Sequence, residues 1–375
     1  MNNGKFVEKD ILIIGAGMAG CVSAMSLHRD FNIALVEKVT DTDCYLAETL
    51  IASGKRIFNE LNLRDWLLTE RCQQTYRLSD GSVSYWGANA PVYTDALRNP
   101  EGENWILNKT DFLDELRNHT ERFSAPLLKG TVHTLDYAHG YWNVAIKLND
   151  ETIQWYKAKF IIDASGRSAV AARKIGIKRI IEDKLICISA VVNNPTANQL
   201  CKNFSDENGW WFVCPLNSAK LQLSYYTDAD LIHKNLTGKA EQFRAFIHAN
   251  RTFNERIGNV DPDSFQFLGT KAANTARLEQ FCGNGWCAVG DAAMCFDPLS
   301  SQGSFKAMAT AMQLTALLKE VNFITTEKKQ HEVVFQELFR EQMEKIWSHY
   351  KNHQAYYYQI EKQSSNVFWK RRSLG

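Results

Sequence analysis

The sequence predicts an α/β chain: a parallel sheet with a nucleotide-type turn, an antiparallel sheet inserted into it, and helices toward the C-terminal end. Three observations carry this expectation. An apolar strand runs into a glycine-rich turn and a small-residue helix near residue 15, two later apolar strands end in acid-and-glycine turns near residues 163 and 291, and the stretch between those two changes to period-two alternation. The 375 residues are 45% hydrophobic and 23% charged, enough for one large domain or two interleaved ones. A formal net charge of +1 excludes a field built to hold nucleic acid. The nine cysteines are scattered, odd in number and without a C-x-x-C pair, so neither a disulfide framework nor a metal site is expected. A polar start, no signal-type apolar segment and no apolar run of about 18 residues predict a cytoplasmic protein without a membrane partner.

The first element is the run Ile11-Leu12-Ile13-Ile14, followed by Gly15-Ala16-Gly17-Met18-Ala19-Gly20, a helix from Cys21 to His28, and a second strand ending at Glu37-Lys38. This is the order of a Rossmann-like dinucleotide turn. Gly15 permits the tight turn, Gly17 lets backbone amides approach a diphosphate, and Gly20 lets the helix pack close to the sheet. The helix N-terminus adds partial positive charge. Glu37 would accept hydrogen bonds from ribose hydroxyls and disfavours a 2′-phosphate, which leaves FAD and NAD both open.

The second and third elements are Phe160-Ile161-Ile162-Asp163-Ala164-Ser165-Gly166 and Trp286-Cys287-Ala288-Val289-Gly290-Asp291, the latter continuing to Pro298-Leu299-Ser300-Ser301-Gln302-Gly303. In this order the three segments resemble the class A flavin monooxygenase superfamily, which includes para-hydroxybenzoate-hydroxylase-like enzymes and flavin-dependent halogenases. The resemblance implies a glutathione-reductase-type FAD-binding fold with noncovalent FAD. It places cofactor contacts at Gly15, Ala16, Gly17, Met18, Ala19, Gly20, Glu37, Lys38, Lys109, Asp163, Ala164, Gly166, Gly290, Asp291, Pro298, Gln302 and Gly303. It also implies that Asp291 bonds the ribityl chain and that amides around Ser301 to Ser304 face the flavin's pyrimidine edge, where a reduced flavin carries negative charge.

Leu46-Ala47-Glu48-Thr49-Leu50 is similar to the Gly-Glu-Ser-Leu box of halogenase-like flavoproteins, with Ala47 where glycine is usual. Trp86-Gly87, Asn99 to Gly102, Trp105 to Leu107, Phe112 to Leu116 and Phe368 to Arg372 follow the same group's pattern. The string Asp297 to Gly303 is similar to that of flavoproteins maturing lysine-oxidase and glycine-oxidase partners that carry cysteine tryptophylquinone. Glu48, Pro298, Ser301, Gln302 and Gly303 are the residues this resemblance brings to the reacting ring. Two departures stand out. Lys109 occupies the place of a usual Arg, which weakens a bidentate phosphate contact there. The Trp-x-Trp-x-Ile-Pro motif of tryptophan halogenases is absent, Trp210-Trp211-Phe212-Val213-Cys214-Pro215 being a different string, so halogenation is demoted.

The expected division is a cofactor domain over 1–182, with 84–105 contributing to the substrate side, an antiparallel-sheet substrate domain over 183–270, a closing cofactor segment over 271–330, and a helical segment over 331–375. Trp210, Trp211, Phe212 and Tyr225 read first as core. Helical periodicity runs over 304–319 and 330–353. Tyr356-Tyr357-Tyr358 and Lys370-Arg371-Arg372 fit a packed C-terminal helix with a solvated tip better than a docking surface. Lys306, His133 and His139 read as solvated side chains, and neither Cys44 nor Cys295 is expected to bond the flavin covalently.

Only one dinucleotide fingerprint is present, so NAD(P)H would reduce the flavin by transient docking, or an external reductase would supply the electrons. The resemblance implies an FAD-dependent monooxygenase that hydroxylates a tryptophan in a partner protein, an amine-oxidase precursor, during cysteine tryptophylquinone biogenesis. The alternatives are a small-molecule aromatic hydroxylase, halogenase-like enzyme or dehydrogenase, and a flavin-containing maturation chaperone without turnover.

Overall fold

The computed structural model describes residues 6–38, 47–194, 199–232, 239–258, 260–322, 324, 329–362 and 366–373. Cys44 and Leu46 lie outside them. The elements used below are β1 (Val7–Ile14), α1 (Met18–Leu27), β2 (Ile33–Glu37), β3 (Ala47–Leu50), β4 (Gly81–Tyr85), β5 (Val92–Asp95), β6 (Trp105–Asn108), α2 (Lys109–Phe123), β7 (Leu127–Ala138), β8 (Tyr141–Leu148) and β9 (Ile153–Asp163). They continue with β10 (Leu185–Asn193), β11 (Cys201–Asp206), β12 (Gly209–Pro215), β13 (Lys220–Asp228), α3 (Ala240–Ala249), α4 (Arg251–Ile257), β14 (Gln266–Ala272), β15 (Trp286–Ala288), α5 (Gly303–Val321), α6 (Lys329–Ile360) and α7 (Val367–Ser373).

The apolar run that opens the chain is the middle of a parallel sheet. β7, β2, β1, β9 and β15 lie side by side and parallel, with Ile11 to Ile14 and Phe160 to Ile162 buried, as strands covered on both faces must be. β8 pairs antiparallel with both β7 and β9, so the hairpin curls back and closes a circuit of strands. The register sets the function: Ile14 pairs with Asp163, and Asp163 with Ala288. Three strand ends therefore stand level, and the turns after them converge at the carboxyl edge of the sheet, where α/β sheets bind ligands.

The second sheet runs β14-β10-β13-β12-β11-β4-β5. It is antiparallel except where β11 joins β4 in parallel, so two strands from well ahead in the sequence extend it. Its two faces follow the alternation of side chains. Ile188, Phe204, Trp211, Val213, Leu223 and Tyr225 pack on one side with Phe243, Ile247, Phe253 and Ile257. These last four come from α3 and α4, helices that the period-two reading of 183–270 did not include. Trp210, Phe212, Cys201 and Asn203 face the other way, toward the cofactor-type domain.

α5 returns along α1, with Ser26 and Thr315 hydroxyls 3.0 Å apart. α6 extends to Ile360, a turn and more beyond the expected 353, because Tyr358 is itself buried. α7 is fastened to the second sheet by Arg372, which donates to both carboxylate oxygens of Asp228 at 3.1 and 2.6 Å and stacks 3.8 Å from the Phe368 ring centre. Arg371 bonds Asp228 and Asp230. The basic end is thus engaged with the protein's own carboxylates, while Tyr356 and Tyr357 are exposed.

Candidate functional site

The glycine turn divides its labour in a way a missing side chain makes visible. Gly15 has φ +103°, and a Cβ there would lie 2.4 Å from the Ala164 carbonyl oxygen, so this position serves the crossing of two turns. A Cβ on Gly20 would lie 1.8 Å from the Gly15 oxygen, so this position serves helix packing. A Cβ on Gly17 would meet nothing within 4 Å; it would project into a cleft of about 610 Å³ that Gly17 lines together with Ile14, Gly15, Met18, Ala19, Glu37 and Lys38. Gly166 and Gly303 line the same cleft and are equally open. Three bare backbone positions around one cavity leave room for a ligand to approach the main chain.

The charged groups of the cleft are partly spoken for. A Glu37 carboxylate oxygen accepts the Ala16 N–H, which steadies the turn from the end of β2. Arg117, two helical turns beyond Lys109 on α2, donates from Nε to the Ala16 carbonyl oxygen at 2.9 Å and lines the cleft. Lys109 is ion-paired with Glu48 of the adjoining strand β3 on the cleft wall, and that carboxylate raises the Lys109 pKa. Asp163 and Asp291, alike in sequence, play different parts. Asp163 is fully buried and accepts from Ser165 N at 3.1 Å, Ser165 Oγ at 2.5 Å and Ala172 N at 3.0 Å, so it organises the turn and does not line the cleft. Asp291 lines the cleft with Arg167 Nε 3.9 Å away. Its pKa is raised by removal from water, against the pull of Arg167 and Lys109.

The segment after Asp291 lies between two cavities. Gly303 and Ser304 open α5 and line the large cleft, whereas Pro298, Leu299, Ser300 and Ser301 line a second cleft of about 220 Å³. β3 makes the same division on the other side, because alternate residues of a strand point apart: Glu48 lines the large cleft and Thr49 the small one. The small cleft is walled by Trp210, Phe212, Cys201 and Asn203 from the second sheet and by Asn99 and Asn104, whose carboxamide oxygens accept from Glu101 N and Ala52 N at 3.1 and 2.9 Å. Beside it, Thr94 and Asp95 belong to β5, whose four residues are all exposed.

Behind the loop a buried polar network holds it to α6. Asp297 accepts from Leu299 N at 2.9 Å and Tyr358 Oη at 2.8 Å, and its own N–H donates to Tyr350 Oη at 2.8 Å. Trp210 Nε1 donates to Tyr358 Oη at 3.2 Å, which links the wall of the small cleft to the same carboxylate. Lys306 lies over the faces of Phe296 and Tyr350, 4.2 and 4.8 Å from their centres, and burial pushes its pKa down to about 8. It lines neither large nor small cleft; Gln302 turns the same way.

Of the residues singled out in the sequence, Gly15, Gly17, Met18, Ala19, Glu37, Lys38, Glu48, Lys109, Ala164, Gly166, Asp291 and Gly303 are brought to the large cleft. Pro298 and Ser301 face the small one. Ala16, Gly20, Asp163 and Gly290 act behind the surface. Arg117 escaped the sequence reading, although Lys109, Leu113 and Arg117 repeat every four residues on one helix and all three line the cleft. Among the described residues no cluster of three or more metal-ligating side chains occurs, and no helix is long and apolar enough to cross a membrane.

A parallel sheet with three level turns, open glycines at the first two of them and at the start of α5, an acidic residue ending β2 and a cleft at the carboxyl edge define a dinucleotide-binding protein. Residues 8–326 match the FAD binding domain family (FAD_binding_3), and the chain belongs to it. It is 25% identical over 370 residues to LodB of Marinomonas mediterranea, which is named as an FAD-dependent oxidoreductase, covering 97% of this chain and 96% of that one. A 1H-pyrrole-2-carbonyl-[peptidyl-carrier protein] brominase of Pseudoalteromonas luteoviolacea is 22% identical over 334 residues, 84% of this chain and 78% of the brominase. Among solved structures, the peptidyl tryptophan dihydroxylase QhpG, essential for tryptophylquinone cofactor biogenesis, superposes with a TM-score of 0.79 at 19% identity, covering 98% of this chain and 79% of QhpG. The flavin-dependent halogenase CmlS superposes with a TM-score of 0.81 at 17% identity, covering 98% and 68%. The fold is that of the monooxygenase and halogenase flavoproteins, and the chain is an FAD-dependent enzyme.

The residues present fit FAD. The volume lies within the range of about 300–1,000 Å³ usual for ligand sites, the bare positions at Gly17, Gly166 and Gly303 admit a ligand to the backbone, and Arg117 and Arg173 line the cleft and supply positive charge.

Proposed function

We propose that this chain is an FAD-dependent monooxygenase that hydroxylates a tryptophan side chain presented by a partner protein, an amine-oxidase precursor, during cysteine tryptophylquinone biogenesis in the cytoplasm. The observation that carries the reading is the small cleft: an aromatic and carboxamide-lined chamber on the far side of the Pro298–Ser301 loop from the large cleft, bordered by an exposed strand. Its size suits one side chain rather than a free cofactor-sized substrate. The likeness to LodB along nearly the whole chain and to the QhpG fold supports the same choice.

FAD, when bound, supplies the electrons that activate oxygen. The chain's own part is to position and to exclude water. The turn after β1 and Arg117 would hold the diphosphate, with Asp291 toward the ribityl chain. The N–H groups at the start of α5, near Gly303 and Ser304, would face negative charge on the ring. Phe212 and Trp210, the latter held by its stack on Tyr226, would pack against the incoming indole, and Asn203 would bond the backbone or indole N–H that enters with it. Asp297, held by Tyr358 and Tyr350, fixes the loop between the two. NAD(P)H docking transiently, or a separate reductase, would supply the electrons.

Co-expressing the amine-oxidase precursor with this chain tests the proposal. Intact-protein and peptide mass spectrometry should show added oxygen on a precursor tryptophan only when this chain is present; an unmodified precursor in both cultures overturns it. A second reading, halogenation of a carrier-bound or free aromatic ring, draws on the brominase relative. Bromide- or chloride-dependent product from the purified protein without a partner would favour it.

A further inference from the structure

One wall of the small cleft carries a pair of thiols that the proposed chemistry does not use. Cys201 and Cys214 sit on the adjacent strands β11 and β12, whose register matches Lys202 with Val213. One step further along, Cys201 stands directly opposite Cys214, and their Sγ atoms are 3.7 Å apart. Both are buried free thiols, and of the two only Cys201 lines the cleft. That cleft is also lined by Pro298 to Ser301, so a small molecule released from the loop reaches Cys201 without crossing protein.

We propose that Cys201 and Cys214 form a cross-strand disulfide when a peroxide enters this cleft, a modification site in which Cys201 is the attacked thiol and Cys214 the resolving one. The Cys201 sulfur attacks the peroxide: an S–O bond forms, the O–O bond breaks, and the departing oxygen leaves as water. The Cys214 sulfur then attacks Cys201: the S–S bond forms, the S–O bond breaks, and a second water leaves. Two thiols lose two electrons and two protons in all, and one hydrogen peroxide is reduced to two waters.

The surroundings favour that order. The Cys214 thiol beside it and the Arg77 guanidinium hold Cys201 below the usual thiol range against the opposing effect of burial, while Cys214 is held well above it. Arg77 is itself fixed, donating from Nε and Nη2 to the Pro215 carbonyl oxygen at 3.1 and 2.6 Å. Directly opposed residues on antiparallel strands have Cβ atoms about 4.5–5.5 Å apart, and a disulfide needs about 3.5–4.5 Å. Closing the bond therefore draws the strands together by roughly 1 Å and shifts Asn203 and Phe212, two residues along each strand from the pair and part of the same wall. In a reducing compartment a disulfide of this kind would be transient. A flavin that reduces oxygen without an acceptor releases hydrogen peroxide, so the device would sense idle turnover. That last link rests on the oxygen-activating function proposed above; the thiol chemistry does not.

The test uses the FAD-loaded full chain, reduced with dithiothreitol and freed of it, in two arms. In the first, hydrogen peroxide is added directly. In the second, the flavin is reduced with dithionite and exposed to air without a partner protein, with and without catalase. The expected result is a crosslink between the peptides carrying Cys201 and Cys214, loss of the mass of two hydrogen atoms, and recovery with dithiothreitol. Cys214→Ser should instead leave a dimedone-reactive Cys201, and Cys201→Ser should leave Cys214 unmodified. No crosslink in the wild-type chain with added peroxide, or direct passage of Cys201 to the sulfinic acid, overturns the proposal. A crosslink in the first arm but not the second leaves the thiol site standing and counts against the oxygen-activating reading.

Discussion

Replacing Gly17 and Gly20 one at a time separates binding of the cofactor from integrity of the fold. The two positions lie three residues apart in one motif, but the structure assigns them different neighbours. Gly17 is the N-cap of α1 with an extended backbone at φ −79°, which any residue adopts, and its Cβ would meet no protein atom within 4 Å. Gly17→Ala therefore costs the apoprotein no more than about 1 kcal/mol, the difference between glycine and alanine as a cap. Gly20→Ala puts a methyl 1.8 Å from the Gly15 carbonyl oxygen and 2.9 Å from its carbon, backbone atoms that move only if α1 leaves the sheet. Overpacking of this kind costs about 3 kcal/mol or more. Toward FAD the order differs. In the proposed site the Gly17 methyl would occupy the path by which the diphosphate reaches the turn, and losing one charge-assisted hydrogen bond costs about 1.5–3 kcal/mol, or roughly 10- to 100-fold in affinity. Urea unfolding of both apoproteins and quenching of FAD fluorescence on titration measure the two quantities. Gly17→Ala should unfold near the wild-type midpoint and bind FAD weakly, and Gly20→Ala should unfold early. If Gly17→Ala bound FAD as the wild type does, the cleft would not be the diphosphate site.

Two further outcomes follow from buried charge. Arg372 is 8% exposed and its partner Asp228 only 2%, so Arg372→Ala strands a carboxylate that Arg371 alone then serves; the expected loss is about 3 kcal/mol in urea unfolding. Lys306 is protonated less readily in the folded chain than in the unfolded one, about 8 against 10.5. Below pH 8 the folded chain bears the full cost of the buried ammonium. As pH rises from about 8 toward 10.5 the unfolded chain alone keeps the proton, and the wild type should gain up to roughly 3 kcal/mol relative to Lys306→Met, less what the ring faces return to the charged form. A difference between the two proteins that does not change with pH would show that Lys306 is solvated.

The parts of this fold legible in the sequence are those that local chemistry dictates. Ile11 to Ile14 and Phe160 to Ile162 announce buried parallel strands, and the glycine spacing announces the turn between strand and helix. What could not be read depends on partners distant in the chain. Asp163 and Asp291 have the same strand-end setting, and only the hydrogen bonds from Ser165 and Ala172 separate the structural carboxylate from the one facing the cleft. β4 and β5 join the second sheet through a parallel pairing to β11 more than a hundred residues away, which no alternation pattern encodes. α3 and α4 lie inside 183–270, where Phe243, Ile247, Phe253 and Ile257 follow helical spacing and interrupt the period-two pattern that predicts a sheet. The departure at Lys109 has a local explanation, since Glu48 takes its charge and Arg117, two turns on, reaches the turn instead.

The most direct measurement is the titration of the purified, folded chain with FAD, followed by its absorption spectrum. The account predicts a yellow protein that takes up one flavin per chain and whose spectrum bleaches on reduction and returns in air. A chain with intact circular dichroism that stays colourless and leaves added FAD free would contradict it.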